Sequence, residues 1–155
     1  MKSLTWKMLV LIAAGGSAAL LIGAFIFQAL GYAPCEMCLW QRYPHGAAVA
    51  IGALALVTSQ RWLAWLGALA AATTSGIGVF HSGVERKLWE GPTSCSGGAS
   101  SNLSTSELME QIMAAPLVRC DEIPWELLGV TMANLNALFS AALAVVWVIA
   151  ARRSV

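Results

Sequence analysis

The sequence predicts an all-α integral membrane protein, a four-helix transmembrane bundle with one short and one long loop on its non-cytoplasmic side. Three observations carry this expectation. Hydrophobic residues make up 58% of the 155-residue chain and charged residues only 11%, about half the charged share of a soluble domain. Three charge-free stretches are each long enough to cross a ~30 Å hydrocarbon layer. In a four-span arrangement, every carboxylate falls on one side and most of the basic residues on the other. A formal net charge of +1 offers no basic surface for nucleic acid.

The first span is the run from Met8 to Leu30, about 23 residues without a charge. Lys2 and Lys7 precede it as in a secretory signal. The apolar run far exceeds the ~7–15 residues of a signal core, so it is expected to remain as a span. The second span is placed at 36–58. The stretch from Tyr43 alone is about 18 residues, and a helix starting near Cys35 lengthens it comfortably. That start brings Arg42, Pro44 and His45 inside the helix. Pro44 cannot donate to the Trp40 carbonyl, so a kink near Arg42 is expected. A tight turn from Thr58 to Arg61 leads to the third span, 62–84, and a loop over 85–127 leads to the last, 128–151. The whole chain is read as one membrane domain. Within the long loop, Ser104 to Glu107 fits a capping box, and Leu108, Ile112 and Ala115 share a face before Pro116. A short helix is expected there, lying against the membrane surface or packed on the loop's own core.

Lys2, Lys7, Arg61, Arg152 and Arg153 lie on one side of this arrangement, against Arg86, Lys87 and Arg119 on the other. Counting basic residues puts both termini in the cytoplasm. Cys35 and Cys38 follow span one, and Cys95 and Cys120 fall between spans three and four. Each pair therefore comes after an odd number of crossings. All four sulfurs share the side where disulfides form and persist.

Two structural disulfides are one reading of these cysteines. A Cys95–Cys120 bridge would close about 25 residues and restrict the unfolded loop by roughly 3 kcal/mol. A bridge between Cys35 and Cys38 closes almost no loop, and a Cys-X-X-Cys pair suits the making and breaking of its bond. A tetrahedral metal site is the third reading, but such sites usually use two tight knuckles and here there is one. On a helix starting near Cys35, positions 38, 42 and 45 share a face. Arg42 can thus stabilise a thiolate at Cys38 and donate to an electron-rich carbonyl ligand. Snorkelling to the interface is the plain alternative. His45 on that face is either a proton carrier or an interfacial polar residue, and the second reading is preferred. His81, at the outer end of span three, can hydrogen-bond or exchange protons with a bound group.

At these residues the chain resembles the disulfide bond formation protein B (DsbB) family. The resemblance lies in Pro34-Cys35-Glu36-Met37-Cys38 with Arg42, in His81 and Glu85, and in the "GPTSC" and "RCDE" cysteines. The closing "PWELLGVTMANLNALFS" is similar to the family's entry into its last span. The resemblance implies a four-helix bundle in the bacterial inner membrane with both cysteine pairs in the periplasm. It implies a thiol:quinone oxidoreductase with ubiquinone or menaquinone as acceptor and a DsbA-like thiol oxidase as partner. Cys95 would take the partner's thiolate, with Cys120 as its loop mate. Electrons would then reach the Cys35–Cys38 pair through a transient Cys35–Cys120 bond, with Arg42 and His81 beside the quinone. Pro44 and His45 stand where some family members carry ordinary helix formers. Two rivals remain. A vitamin K epoxide reductase-like enzyme places its Cys-X-X-Cys near the end of a later span. A structural membrane protein would use its disulfides only to brace loops.

Overall fold

A computed structural model describes residues 5–92, 104, 106, 109, 113 and 118–153. Helix α1 is Trp6–Ala29, capped by the Thr5 hydroxyl, which accepts from the Met8 amide at 3.4 Å. It ends through Gly31, whose φ of 100° lets the Tyr32 amide donate back to the Phe27 carbonyl at 3.1 Å; a Cβ would disfavour that left-handed turn. The reversal delivers Cys35 to the start of α2, Glu36–Thr58. The Cys35 sulfur is itself the N-cap and accepts from the Cys38 amide at 3.3 Å. Helix α2 runs through Pro44 as one element. Helix α3 is Leu63–Glu85 and α4 is Met132–Arg152.

Helix α3 packs most extensively on α4 and then on α2, while α1 closes the ring against α2 and α4. The α1–α2 and α2–α3 connections are short, which suits antiparallel neighbours. The half of the core nearer the two chain ends, called inner for that reason alone, is built from small residues, including Ala13, Ala14, Ala55, Ala64 and Ala71, around the fully buried Trp147. Small residues let helices approach closely where no hydrophobic force drives them together. Gly67 on α3 marks such an approach, because an added Cβ would lie 2.6 Å from the Trp147 indole. The outer half of the core is different, with Cys35, Met37, Val84 and Cys120 buried together.

Helices α1, α3 and α4 are long and apolar enough to cross a membrane. Helix α2 has comparable length, 23 residues, but Glu36, Gln41, Arg42 and His45 make its first half polar. The last helix begins later than the charge pattern suggests. Residues Glu126–Leu127 and Val130–Thr131 form strands β1 and β2 of an antiparallel hairpin, pairing Glu126 with Thr131 and Leu127 with Val130. Leu128 and Gly129 turn it with φ of 52° and 79°, the double positive φ of a two-residue hairpin turn. Thr131 then starts α4 with a reciprocal capping box to Asn134. The surface helix expected at 104–115 lies mostly outside the described residues; Ser106, Met109 and Met113 within it are helical.

Gly67→Ala is expected to destabilise the bundle by about 1–3 kcal/mol, the usual cost of overpacking. Gly76→Ala, where an added Cβ meets nothing within 4 Å, is expected to leave stability unchanged or raise it. Thermal loss of helical circular dichroism in detergent checks both.

Candidate active site

The site is assembled at the outer end of the bundle, where α2 begins and α3 ends. The first turn of α2 holds two free thiols, with Sγ of Cys35 donating to Sγ of Cys38 across 2.8 Å. Cys35 is buried, and Cys38 faces a cavity of about 260 Å³. The hydrogen bond to Cys38, and then burial, push the Cys35 thiol well above its ordinary range. Cys35 is therefore held as the protonated partner of the pair.

The cavity lies among α1, α2 and α4. Leu20, Phe27, Ala133 and Phe139 give it apolar walls, and Arg42, His45 and His81 also border it. Arg42 is anchored to α1: Nη1 donates to Gln28 Oε1 at 2.7 Å and Nη2 to the Ala24 carbonyl at 3.3 Å. Its guanidinium also sits 4.9 Å from the centroid of the Phe25 ring, a cation–π distance. Arg42 thus shares the cavity with Cys38 while its hydrogen bonds go elsewhere. Among the described residues its Nε is buried without a partner, as is Nδ1 of His45.

A chain of polar groups runs from the cysteines into the bundle. His81 Nε2 is 3.5 Å from the Cys35 sulfur and 3.8 Å from Glu85 Oε1. Its Nδ1 meets Gln41 Nε2 at 3.0 Å. Gln41 Oε1 accepts from Asn136 Nδ2 at 2.6 Å, and Asn136 Oδ1 meets His45 Nε2 at 2.8 Å. His45 is buried to 3% exposure. The interfacial reading of His45 is corrected: it is a hydrogen-bonded interior residue joining α2 to α4. Glu85 is equally enclosed, accepting from the Thr131 hydroxyl at 2.6 Å.

Cys120 is fully buried and disulfide-bonded, and it packs in the same cluster as Cys35. Its backbone also hydrogen-bonds the His81 ring. Beside it, Arg119 forms a two-pronged bond with Asp121, Nε to Oδ1 at 2.9 Å and Nη2 to Oδ2 at 2.7 Å. That bond holds the Asp121 carboxyl below the usual carboxylate range. Cys95 lies outside the described residues. The structure therefore brings Cys35, Cys38, His81 and Cys120 together and places Arg42 on the same cavity.

Cys35, Cys38 and His81 present ligand atoms within 4.8 Å of one another, a spacing that can hold a metal ion. The surroundings argue against that use. A metal-bound imidazole normally donates its second N–H to an acceptor, whereas His81 Nδ1 faces the Gln41 amide nitrogen. That pattern suits a histidine that donates toward sulfur.

The family profile of disulfide bond formation protein DsbB matches residues 6–150. The chain belongs to the DsbB family. Two curated relatives named disulfide bond formation protein B are similar to it. The Polaromonas protein is 28% identical over 90% of this chain and 86% of its own. The Verminephrobacter eiseniae protein is 31% identical over 88% of this chain and 80% of its own. An uncharacterised Rickettsia prowazekii protein is 25% identical over 79% of this chain and 72% of its own. No solved structure matches. With three helices able to span, this DsbB-family chain is a multi-pass membrane protein.

Sequence reasoning missed Gln41, Asn136 and Thr74. Gln41 stands next to Arg42 and is three residues past Cys38, so an uncharged amide inside a span was the signal available.

Because Asp121 titrates below its unfolded value, the Arg119 bond stabilises the loop at neutral pH and is lost as pH falls through the folded value. Acidification below about pH 4, the ordinary range of aspartate, is expected to lower the hydrogen-exchange protection at 118–122 relative to the intrinsic rate at each pH. Asp121→Asn should reproduce that loosening at neutral pH.

Proposed function

We propose that this DsbB-family protein is a thiol:quinone oxidoreductase, reoxidising a DsbA-like thiol oxidase in the periplasm of a bacterium. The observation that carries the reading is the Cys35–Cys38 pair, set between the buried Cys120 and an apolar cavity within the bundle. One side of the pair meets a loop cysteine and the other meets a space suited to a lipid-soluble ligand. In this reading α2 is the fourth span, both termini are cytoplasmic, and the chain is a single domain in the inner membrane. Its polar first half faces the cavity and the neighbouring helices, as intramembrane polar residues usually do.

The cavity suits a quinone. Its walls are apolar, and unpartnered buried nitrogens of Arg42 and His45 border it, polar points that a ring oxygen would satisfy. Arg42 would hold the ring near Cys38, with His81 bordering the same cavity. Bound there, ubiquinone or menaquinone supplies an acceptor for two electrons and two protons.

The cysteines do the exchange, following the family resemblance. The partner's thiolate attacks Cys95, opening a Cys95–Cys120 disulfide and freeing the Cys120 thiolate. That thiolate attacks Cys35 of the oxidised pair, so that Cys38 departs carrying the electron pair toward the cavity. Each step makes one S–S bond and breaks one. Cys38 is suited to leave because its amide lies in the first turn of α2, where helix geometry favours negative charge.

Purified protein with a reduced DsbA-like partner and each quinone in turn, under anaerobic conditions, tests this reading. Expected is partner oxidation matched one to one by quinone reduction; sulfurs that stay oxidised without passing electrons would mark a structural protein. Cys38→Ser is expected to abolish quinone reduction while the loop disulfide still forms. Cys95→Ser should fail to trap the mixed disulfide, seen on a non-reducing gel. Arg42→Ala should raise the quinone KM by about tenfold, the worth of one hydrogen bond from a charged donor, with a smaller effect on kcat.

A further inference from the structure

The buried amides leave no freedom in how their hydrogens are placed. The Met37 carbonyl can only accept, and it lies 3.1 Å from Gln41 Nε2. The amide nitrogen must therefore be on that side. Its second hydrogen points to His81 Nδ1 at 3.0 Å, so Nδ1 must offer a lone pair. The Gln41 oxygen is independently occupied, since Asn136 Nδ2 lies 2.6 Å from it and 3.3 Å from the Thr74 carbonyl, another pure acceptor. Two backbone carbonyls thus orient both amides the same way.

From this we infer that Gln41 is a positioning residue which holds neutral His81 with its proton on Nε2, aimed at Cys35, and so makes Cys38 the sulfur that bears charge. The inference rests on the proposed thiol–quinone reading for its purpose. Donors then run in one direction: Asn136 to Gln41, Gln41 to His81, His81 to Cys35, and Cys35 to Cys38. The His81 N–H is shared between the Cys120 backbone, which also fixes the proton on that nitrogen, and a lone pair of Cys35 at 3.5 Å, so the Cys35 S–H is left to turn toward Cys38, 2.8 Å away. The reverse tautomer would set Nδ1–H against an amide N–H and offer a lone pair to Cys35. Cys35 would then donate to His81 instead, and Cys38 would lose its donor.

Charged groups near the pair are Glu85 from α3, Arg42 from α2, and Arg119 and Glu122 from the loop. Glu85 Oε1 also accepts in the direction of His81 Nε2, which favours the same tautomer. Gln41 differs from all of these in carrying no charge and touching neither sulfur. Its influence passes through the imidazole alone.

Nitrogen-15 spectra of the full-length reduced protein in detergent, labelled at histidine, read the tautomer directly. The chain has only two histidines, and His45→Asn assigns the His81 signals. Wild type is expected to show His81 protonated at Nε2. Gln41→Met, of similar length and without a donor, is expected to give a mixed or reversed tautomer. It should also raise the pH midpoint of Cys38 alkylation by about one unit, a tenfold loss of thiolate at a given pH. A wild-type spectrum with the proton on Nδ1 overturns the inference without any variant. So does a folded Gln41→Met protein with both readouts unchanged. Should that variant not fold, Gln41→Glu serves: raising the pH to ionise the carboxyl should move the His81 proton to Nδ1, and a tautomer that never moves overturns the proposal. Both signatures without electron transfer to quinone would sink the functional reading and leave the Gln41 role standing.

Discussion

The Met37 carbonyl and the Gln41 amide meet inside one turn of α2, and that meeting, with the Thr74 carbonyl on Asn136, sets the direction of the polar chain from Asn136 to Cys35. A membrane interior cannot supply water to an unmatched amide, so buried polar groups must find each other. Here they do so across three helices, with Gln41 from α2, Thr74 and His81 from α3, and Asn136 from α4. The Thr74 hydroxyl donates to the Gln41 carbonyl at 3.1 Å, and Ser75 donates to the Ala137 carbonyl at 2.8 Å. These contacts fix the rotation of α2 and α4 about α3 more narrowly than apolar packing can, because hydrogen bonds demand a donor opposite an acceptor.

The two halves of the bundle divide the work. The inner half is close-packed alanine and glycine around Trp147, where helices approach through the absence of side chains. The outer half opens into the cavity and carries the hydrogen-bonded chain. Rigid packing below gives the polar groups above a fixed frame, which the proposed exchange between sulfurs would need if it is to proceed with little motion. The outer half tolerates its cavity because the inner half holds the helices together.

The cysteine pair, the charge-free runs and the family motifs were readable because each is local in sequence or counts residues. The chain from Asn136 to Cys35 was not. Gln41 and Asn136 are 95 residues apart and Gln41 and His81 are 40 apart, so no periodicity links them. His45 looked interfacial because a histidine near a proline early in a span gives no hint of a partner on another helix. The hairpin before α4 was hidden by its own composition: Leu127, Leu128 and Val130 read as the start of an apolar span. Gly129, and the Thr131-to-Asn134 spacing of a capping box, were the signals that a turn intervenes.

That hairpin is pinned from two directions. Arg86 reaches the Gly129 carbonyl at 2.7 Å and Asn134 Oδ1 at 2.9 Å, while Thr131 grips Glu85. Cys120 stands nine residues before Gly129, so the cysteine is on a leash of at most roughly 32 Å even when drawn straight. In the proposed relay, a sulfur so tethered would not diffuse away after its bond opens; it would remain at high effective concentration beside the α2 pair. The mooring at Gly129 would therefore bias that exchange toward its next step by geometry alone, before any difference in sulfur chemistry is counted.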